Sequence, residues 1–279
     1  MRPFDYVRAR SVKDAAARAM GDAKFLSGGM TLLPAMKHGL AAPGTLVDLG
    51  GLASLRGVAE EGGELVIGAL TTHAEVAASP LVHSRLPALA ALAGGIGDAQ
   101  VRHRGTLGGS VANNDPAADY PAGCVGLGAT VVTDRRRLPA ERFFTGFFST
   151  ALAPGELVTA VRFPLPSRAG YAKFANPASR YAMVGVFVAQ TAEGVRVAVT
   201  GAGRDGVFRV PSAERALQER YVPEGLPPHG IPEAALIADL HASTAYRSHL
   251  LQSMLRRAVA ASLGLPVRAP MRHGGAVAY

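Results

Sequence analysis

The sequence has few of the residues that build metal centres and covalent cross-links. Its 279 residues include a single cysteine, Cys124. One cysteine excludes an internal disulfide, and it also excludes an all-cysteine iron–sulfur cluster, which needs four thiolates. The eight histidines form no pair with the spacing of a known metal-binding motif, so we expect no protein-bound metal. Any iron–sulfur centre that works with this chain must therefore belong to a partner.

Long apolar runs are also missing. There is no stretch of about 18 apolar residues and no signal-peptide hydrophobic region at the N-terminus, so we expect a cytoplasmic protein without a membrane span. The hydrophobic content of 48% is still enough to bury a sizeable core. The net charge of +8 comes from scattered basic residues with no aromatic residues between them, a pattern that argues against nucleic-acid binding. A basic surface equally suits an acidic partner subunit or a phosphate-bearing molecule.

The most informative segment is 104–119, which reads Arg-Gly-Thr-Leu-Gly-Gly-Ser-Val-Ala-Asn-Asn-Asp-Pro-Ala-Ala-Asp. Its glycines leave room for main-chain N–H groups to approach a ligand, so we expect loop backbone that wraps a polar cofactor. Thr106, Ser110, Asn113 and Asp119 add hydroxyl, amide and carboxylate groups. Asp115 is either a helix cap before Pro116 or a further ligand, and the sequence leaves both readings open.

A second glycine turn lies upstream, at 25–37, with the sequence Phe-Leu-Ser-Gly-Gly-Met-Thr-Leu-Leu-Pro-Ala-Met-Lys. The pattern predicts a short strand, a tight turn and a helix, with Thr31 as its N-cap and Gly39 as its stop. A helix N-terminus with free N–H groups suits a pyrophosphate, although an ordinary left-handed turn explains Gly28 and Gly29 equally well. The spacing is that of neither a Rossmann fingerprint nor a P-loop.

Together the two segments resemble the FAD-binding medium subunit of the molybdenum hydroxylases, the carbon monoxide dehydrogenase and xanthine dehydrogenase type. Further similarity lies in residues 2–6, in Lys173-Phe174, in 181–184 and in the closing helix with Tyr246-Arg247. The resemblance implies an α+β fold, with a two-lobed FAD-binding region of the PCMH type and a C-terminal antiparallel sheet with helices. We place the lobes at 1–54 and 55–166 and the last domain at 167–279.

The resemblance also implies a function. The chain would be an oxidoreductase subunit that transfers electrons through FAD, while a large molybdopterin-binding subunit and a small [2Fe–2S] subunit carry the other centres. No catalytic residue is expected in this chain, and Tyr181 and Lys173 are expected beside the isoalloxazine ring, where a cation can stabilise a reduced, anionic flavin. The predicted FAD-binding residues are Ser27, Gly28, Gly29, Met30, Thr31, Leu32, Ile96, Thr106, Gly108, Gly109, Ser110, Asn113, Asp115, Asp119, Lys173 and Tyr181.

Two alternatives remain at this point. One is a stand-alone flavin oxidoreductase of the UDP-N-acetylenolpyruvoylglucosamine reductase type, and the other is a non-catalytic docking subunit without flavin. The second rests on Met30, which stands where the family usually has a polar residue. His103 and the pair Asn113-Asn114 also depart from the family pattern.

The remaining pattern predicts the secondary structure around these motifs. A hairpin is expected across 55–70, and Thr72 with Glu75 has the spacing of a capping box. The apolar stripe of the last helix is expected to be core. Further helices are predicted near 11–20, 85–93, 116–127, 212–219, 232–240 and 245–263, and strands at 24–27, 46–49, 129–133, 157–163, 171–174, 184–191 and 195–201.

Overall fold

A computed structural model describes residues 1–224, 226 and 230–266. His229 and His273 lie outside these residues. The strands, in chain order, are β1 (Asp5–Arg8), β2 (Lys24–Leu26), β3 (Thr45–Asp48), β4 (Val58–Glu61), β5 (Glu64–Gly68), β6 (Thr130–Thr133), β7 (Arg137–Pro139), β8 (Phe144–Gly146), β9 (Ser149–Thr150), β10 (Val158–Pro164), β11 (Arg168–Ala175), β12 (Ala182–Thr191), β13 (Gly194–Thr200) and β14 (Phe208–Arg209).

The α-helices are short except for the last one described. They are α1 (Val12–Arg18), α2 (Leu32–Lys37), α3 (His73–Ala78), α4 (Pro80–Arg85), α5 (Pro87–Gly94), α6 (Ala99–Arg104), α7 (Leu107–Asn113), α8 (Tyr120–Leu127), α9 (Ala140–Phe143), α10 (Pro211–Glu219) and α11 (Thr244–Ser262).

Three sheets carry the architecture. The first is parallel, in the order β1-β3-β2, and the second is antiparallel, in the order β4-β5-β10-β6-β7. The third is antiparallel, in the order β11-β12-β13-β14, with Tyr171 opposite Phe187. This mixture is the predicted α+β fold. The division into domains at residues 54 and 166 stays a prediction.

Two of the buried cores combine residues from more than one sheet. Leu70 follows β5 and Leu157 precedes β10, both strands of the second sheet. These two leucines pack with Val47 in the core of the first sheet. Phe187 of β12 packs into the large core that α5 and α8 share with the second sheet. The C-terminal core lies between the third sheet and α11, whose predicted apolar stripe is buried. The three parts therefore fold against one another and hold the loops between them.

Several predicted elements are confirmed in detail. The hairpin turns at Gly62-Gly63 between β4 and β5. Thr72 and Glu75 form both hydrogen bonds of the capping box at the start of α3. In the first lobe, Ser11 caps α1 through its hydroxyl.

Other elements differ from the prediction for local reasons. The helix expected at 85–93 is α5, which begins two residues later than predicted because Arg85 ends α4 and Pro87 starts the new helix after Leu86. The helix expected at 232–240 is a single 3-10 turn, Glu233–Ala235. The chain after it pairs instead with the loop that follows β13, since the Ile237 N–H donates to the carbonyl of Ala202 at 2.9 Å.

A buried arginine connects the C-terminal sheet to α8. Arg196 of β13 donates from Nε and Nη2 to the carbonyl of Val125 at 3.1 and 2.8 Å, near the end of α8, and it also pairs with Glu141. We expect Arg196→Met to lower the free energy of unfolding by about 1–3 kcal/mol, because the Val125 carbonyl loses both guanidinium donors and keeps only the Gly128 N–H at 3.2 Å. Urea denaturation measures the change.

Arg209→Met is the matched control. Arg209 also pairs with Glu141, at 2.8 Å, and with Glu214 through Nε and Nη2, but its side chain is 32% exposed and these hydrogen bonds go to carboxylates rather than to a main-chain carbonyl. We expect a smaller loss for it. Equal losses in the two variants would show that the bond to Val125 contributes nothing specific.

Candidate functional site

The two glycine-rich segments meet at one deep cleft of about 520 Å³. Its walls come from the turn after β2, the segment around α7, the loop before β12 and the segment that leads into β10. The predicted residues that line it are Ser27, Gly28, Gly29, Met30, Thr31, Leu32, Ile96, Thr106, Gly108, Gly109, Ser110, Asn113, Asp115, Asp119 and Tyr181. Lys173 is the one predicted residue that lies outside the lining.

The first glycine turn is shaped by the neighbouring segment. A Cβ on Gly28 would overlap the carbonyl group of Arg104, so Gly28 is required by close contact between two parts of the chain. Gly29 has a φ of +74°, in the left-handed region that favours glycine. Thr31 is the N-cap residue of α2, as predicted, but its side chain makes no capping hydrogen bond.

The second glycine segment is helical, which corrects the expected loop. Thr106 accepts the N–H of Gly109 at 3.1 Å and begins α7, while Asn114 ends the helix with a φ of 44°. Gly108 packs against Ala69, where a Cβ would lie 2.5 Å from the Ala69 Cβ. The tight packing on Ala69 explains Gly108 without a ligand.

A hydroxyl pair joins the two segments. The Thr106 hydroxyl donates to the Ser27 hydroxyl at 3.2 Å. A Cβ on Gly109 would lie 2.7 Å from Ser27 Oγ and 2.9 Å from Thr106 Oγ1. Gly109 therefore leaves open the space in which these hydroxyls meet at the cleft.

A buried ion pair closes one part of the cleft. Asp119 is 3% exposed, and it lies just before α8 rather than inside the predicted first turn of a helix that starts at 116. Its carboxylate accepts from the Tyr171 hydroxyl at 2.5 Å and pairs with the Lys173 ammonium at 2.8 Å. Burial raises the pKa of Asp119, and Lys173 and Tyr171 oppose that rise. Lys173 thus contacts Asp119 from outside the lining of the cleft. Both partners of Asp119, Tyr171 and Lys173, come from β11.

Asp115 and Tyr181 lie along the same wall. The Asp115 carboxylate accepts the N–H of Ala117 at 2.8 Å and so shapes the turn before α8. It does not cap a helix, because α8 begins at Tyr120 with Asp119 as its N-cap residue. Burial raises the pKa of Asp115. The ring of Tyr181 lines the cleft and is 41% exposed, which leaves an aromatic face available to a ligand.

His73 is a cleft residue that the sequence did not single out. It is 5% exposed and packs with its ring centroid 5.4 Å from that of Tyr120. Burial lowers the pKa of His73 to about 4, and the nearby positive charge of Arg102 adds to the shift, so its imidazole is neutral at pH 7. Its position follows from an isolated β-bridge between its neighbour Thr72 and Thr106 of the second glycine segment. This tertiary contact has no local sequence signal.

The comparisons with known proteins agree with this geometry. Residues 2–166 match the family model described as the FAD binding domain in molybdopterin dehydrogenase. The chain belongs to this family of FAD-binding subunits. It is 33% identical over 279 residues to the carbon monoxide dehydrogenase medium chain of Hydrogenophaga pseudoflava, covering 93% of this chain and 96% of that one.

Two further comparisons extend over most of the chain. The nicotine 6-hydroxylase medium subunit of Paenarthrobacter nicotinovorans is 36% identical over 253 residues, which cover 85% of this chain and 89% of the relative. A solved structure of carbon monoxide dehydrogenase from Hydrogenophaga pseudoflava, which lacks the Mo-pyranopterin moiety of its cofactor, has a TM-score of 0.86 at 34% identity and covers 95% of this chain and 99% of that one. The protein is an FAD-binding medium subunit of the molybdenum hydroxylase family and part of an oxidoreductase.

The cleft residues of this medium subunit fit FAD. The lining combines main-chain N–H groups of Gly28 and Gly29 with the hydroxyls of Ser27 and Ser110 and with flat or branched apolar side chains. Such a mixture suits a cofactor with a charged pyrophosphate, a polar ribityl chain and two aromatic rings. The FAD contacts of individual residues remain predictions.

The described residues also bear on membrane and metal binding. None of the helices in that part of the medium subunit has the length and apolar character that crossing a membrane requires. Within the same residues, no group of three or more histidine, cysteine, aspartate or glutamate side chains could hold a metal ion. Cys124 is buried in α8, which raises the pKa of its thiol.

Gly109→Ala tests the junction of the two segments. The added methyl group would crowd the Ser27 and Thr106 hydroxyls, so we expect the FAD content of the purified protein to fall several-fold. Gly94→Ala is the matched control, because Gly94 is also helical and its Cβ would meet only Ala77, at 3.8 Å. Alanine favours a helix over glycine by about 1 kcal/mol, so helix propensity cannot explain a loss. Equal FAD contents, measured from the flavin absorbance of denatured samples, would contradict the proposed role of this junction.

Lys173→Met tests the buried ion pair in the apo-protein. A buried carboxylate that loses its partner costs about 3–5 kcal/mol of stability. Because the folded-state pKa of Asp119 lies above its ordinary value, protonation favours the folded state at low pH, and this contribution is lost as pH rises through the folded-state pKa. Removing the cation raises that pKa further, so we expect a larger deficit at pH 8 than at pH 5.

The double variant Asp119→Asn/Lys173→Met is the control for this prediction. It removes the buried charge together with its partner, so its stability should depend less on pH than that of Lys173→Met. Urea denaturation at the two pH values provides the measurement. A deficit of Lys173→Met that is the same at both values would show that Asp119 is not the group responsible.

Proposed function

We propose that this medium subunit uses FAD to pass electrons from the [2Fe–2S] clusters of a small partner subunit to an external acceptor. Substrate oxidation would take place on a large molybdopterin-binding subunit. The observation that carries the proposal is the cleft itself, which joins both family motifs in a chain whose single cysteine cannot hold an iron–sulfur cluster. Bound FAD supplies the ability to accept electrons one at a time and to deliver them to a different acceptor.

The names of the relatives support a complex of unlike subunits. The Hydrogenophaga pseudoflava relative is a medium chain and the Paenarthrobacter nicotinovorans relative a medium subunit. We extend this organisation to the present chain. The net charge of +8 is consistent with docking to an acidic partner. The cytoplasmic location stays a prediction from the sequence.

The chain's own residues would bind and orient the cofactor. We propose that the glycine turn at 28–29 and the junction with α7 hold the pyrophosphate and its neighbouring hydroxyls. Asp119, paired with Lys173, would accept a hydrogen bond from the flavin, and Tyr181 would cover one face of the isoalloxazine ring. In this arrangement Lys173 acts through Asp119, which differs from the direct contact that the sequence motif suggested.

The decisive experiment compares the FAD-loaded chain alone with the complex co-purified from its neighbours. Both samples receive, without oxygen, a panel of purines, aldehydes, nitrogen heterocycles and carbon monoxide, and flavin bleaching is followed at about 450 nm. We expect bleaching only in the complex, because only its other subunits hold the molybdenum and iron–sulfur centres. Dithionite serves as the control that bleaches both.

Two results would overturn the proposal. Reduction of the lone chain by an organic substrate, with partners shown absent by mass spectrometry, would favour a stand-alone flavin oxidoreductase. A chain that purifies with its neighbours but contains no flavin would favour a docking subunit.

A further inference from the structure

A short hairpin reaches the mouth of the cleft with an unusual backbone conformation at its tip. The hairpin consists of β8 and β9, and Phe147 and Phe148 form the turn between them. Phe148 has a φ of 48°, in the left-handed region that bulky side chains rarely adopt. Such strain persists only where surrounding contacts impose it, and it is concentrated at ligand clamps and active sites.

The contacts that impose this conformation come from Asn114. This residue is 2% exposed, and its Nδ2 donates to the carbonyls of Gly146 and Ser149 at 2.8 and 2.7 Å, on both sides of the tip. The Phe148 N–H in turn donates to the Asn114 carbonyl at 3.2 Å. Asn114 ends α7, so these hydrogen bonds fix the tip directly to the FAD motif.

The two phenylalanines serve different cavities. Phe148 lines the FAD cleft although its side chain is 59% exposed, whereas Phe147 lines a neighbouring cavity of about 240 Å³. Asp115 and Tyr181 form part of both cavities. The tip therefore stands at the Tyr181 end of the cleft and presents a largely exposed phenylalanine there.

An exposed, strained aromatic residue has no stabilising role in the apo-protein that would explain its anchoring. A flat ring that enters the cleft would cover Phe148 and gain apolar and aromatic contact. Asn114 fixes the backbone of the tip before any ligand is present. Binding therefore costs little conformational entropy at the tip.

We propose that Phe148 is an additional FAD-binding residue, which contacts one of the flat rings of the cofactor, and that Asn114 is the positioning residue that holds it there. This inference rests on FAD binding by the family. It adds a clamp from the segment 144–150, which neither glycine motif includes. The clamp retains the cofactor mainly by slowing its release.

The test separates the strain of Phe148 from its contact with the cofactor. Phe148→Gly removes the ring but accepts the left-handed φ without strain. We expect FAD to dissociate roughly tenfold faster than from the wild type, as expected for the loss of an aromatic contact of this kind, while the melting temperature of the apo-protein does not fall. Phe148→Tyr, which keeps a ring, should retain the slow dissociation. FAD release is followed by the rise of flavin fluorescence after dilution.

Phe147→Gly is the matched control, since it makes the same substitution one residue away, outside the cleft lining. It should leave the rate of FAD release within about twofold of the wild type. Asn114→Gly removes the side-chain amide that donates both hydrogen bonds and tolerates the φ of 44°, so it should also speed FAD release although Phe148 is intact.

The outcomes decide between distinct explanations. Unchanged FAD release in both Phe148→Gly and Asn114→Gly would overturn the clamp. The same would follow if Phe148→Gly weakened assembly with partner subunits without affecting FAD, because the ring would then be a subunit contact. Wild-type protein that binds no FAD would instead contradict the function proposed for the whole chain, so the two failures are distinguishable.

Discussion

The contact between Gly28 and the carbonyl group of Arg104 leaves no space for a side chain, and the rest of the site depends on it. It brings together two segments whose hydroxyls, Ser27 and Thr106, are 79 residues apart in the sequence. Once the backbones meet, the turn after β2 and the start of α7 form two adjoining walls of one cleft. A larger residue at Gly28 would separate these walls, because the atoms it meets are main-chain atoms that cannot rotate away.

The charged groups of the site depend on a different part of the fold. Asp119 lies at the beginning of α8, but its partners Tyr171 and Lys173 both come from β11 of the C-terminal sheet. An aspartate with this degree of burial is tolerated only when a cation and a hydrogen-bond donor face it. The C-terminal sheet therefore does more than cover the FAD-binding lobes, since it supplies the charge balance of a residue inside the cleft.

The sequence predicted the parts that depend on local interactions. The capping box at Thr72, the Gly62-Gly63 turn and the apolar stripe of α11 each follow from neighbouring residues, and each was found. The predictions failed where distant contacts intervene. The chain after Pro232 pairs with the loop that follows β13 instead of continuing a helix, and the segment around Gly108 is helical because it packs closely on Ala69.

The sequence by itself determined the family, the cofactor and 15 of the 34 residues that line the cleft, because most of these 15 are written in two contiguous motifs whose residue types have direct chemical meaning. Only the tertiary structure decided that Lys173 lies behind Asp119, that His73 is a neutral member of the lining, and that Asn114 anchors the Phe148 hairpin. The physical reason is the same in each case. Burial, pairing of charges and a strained backbone are properties of contacts between distant segments, and a single linear pattern does not contain them.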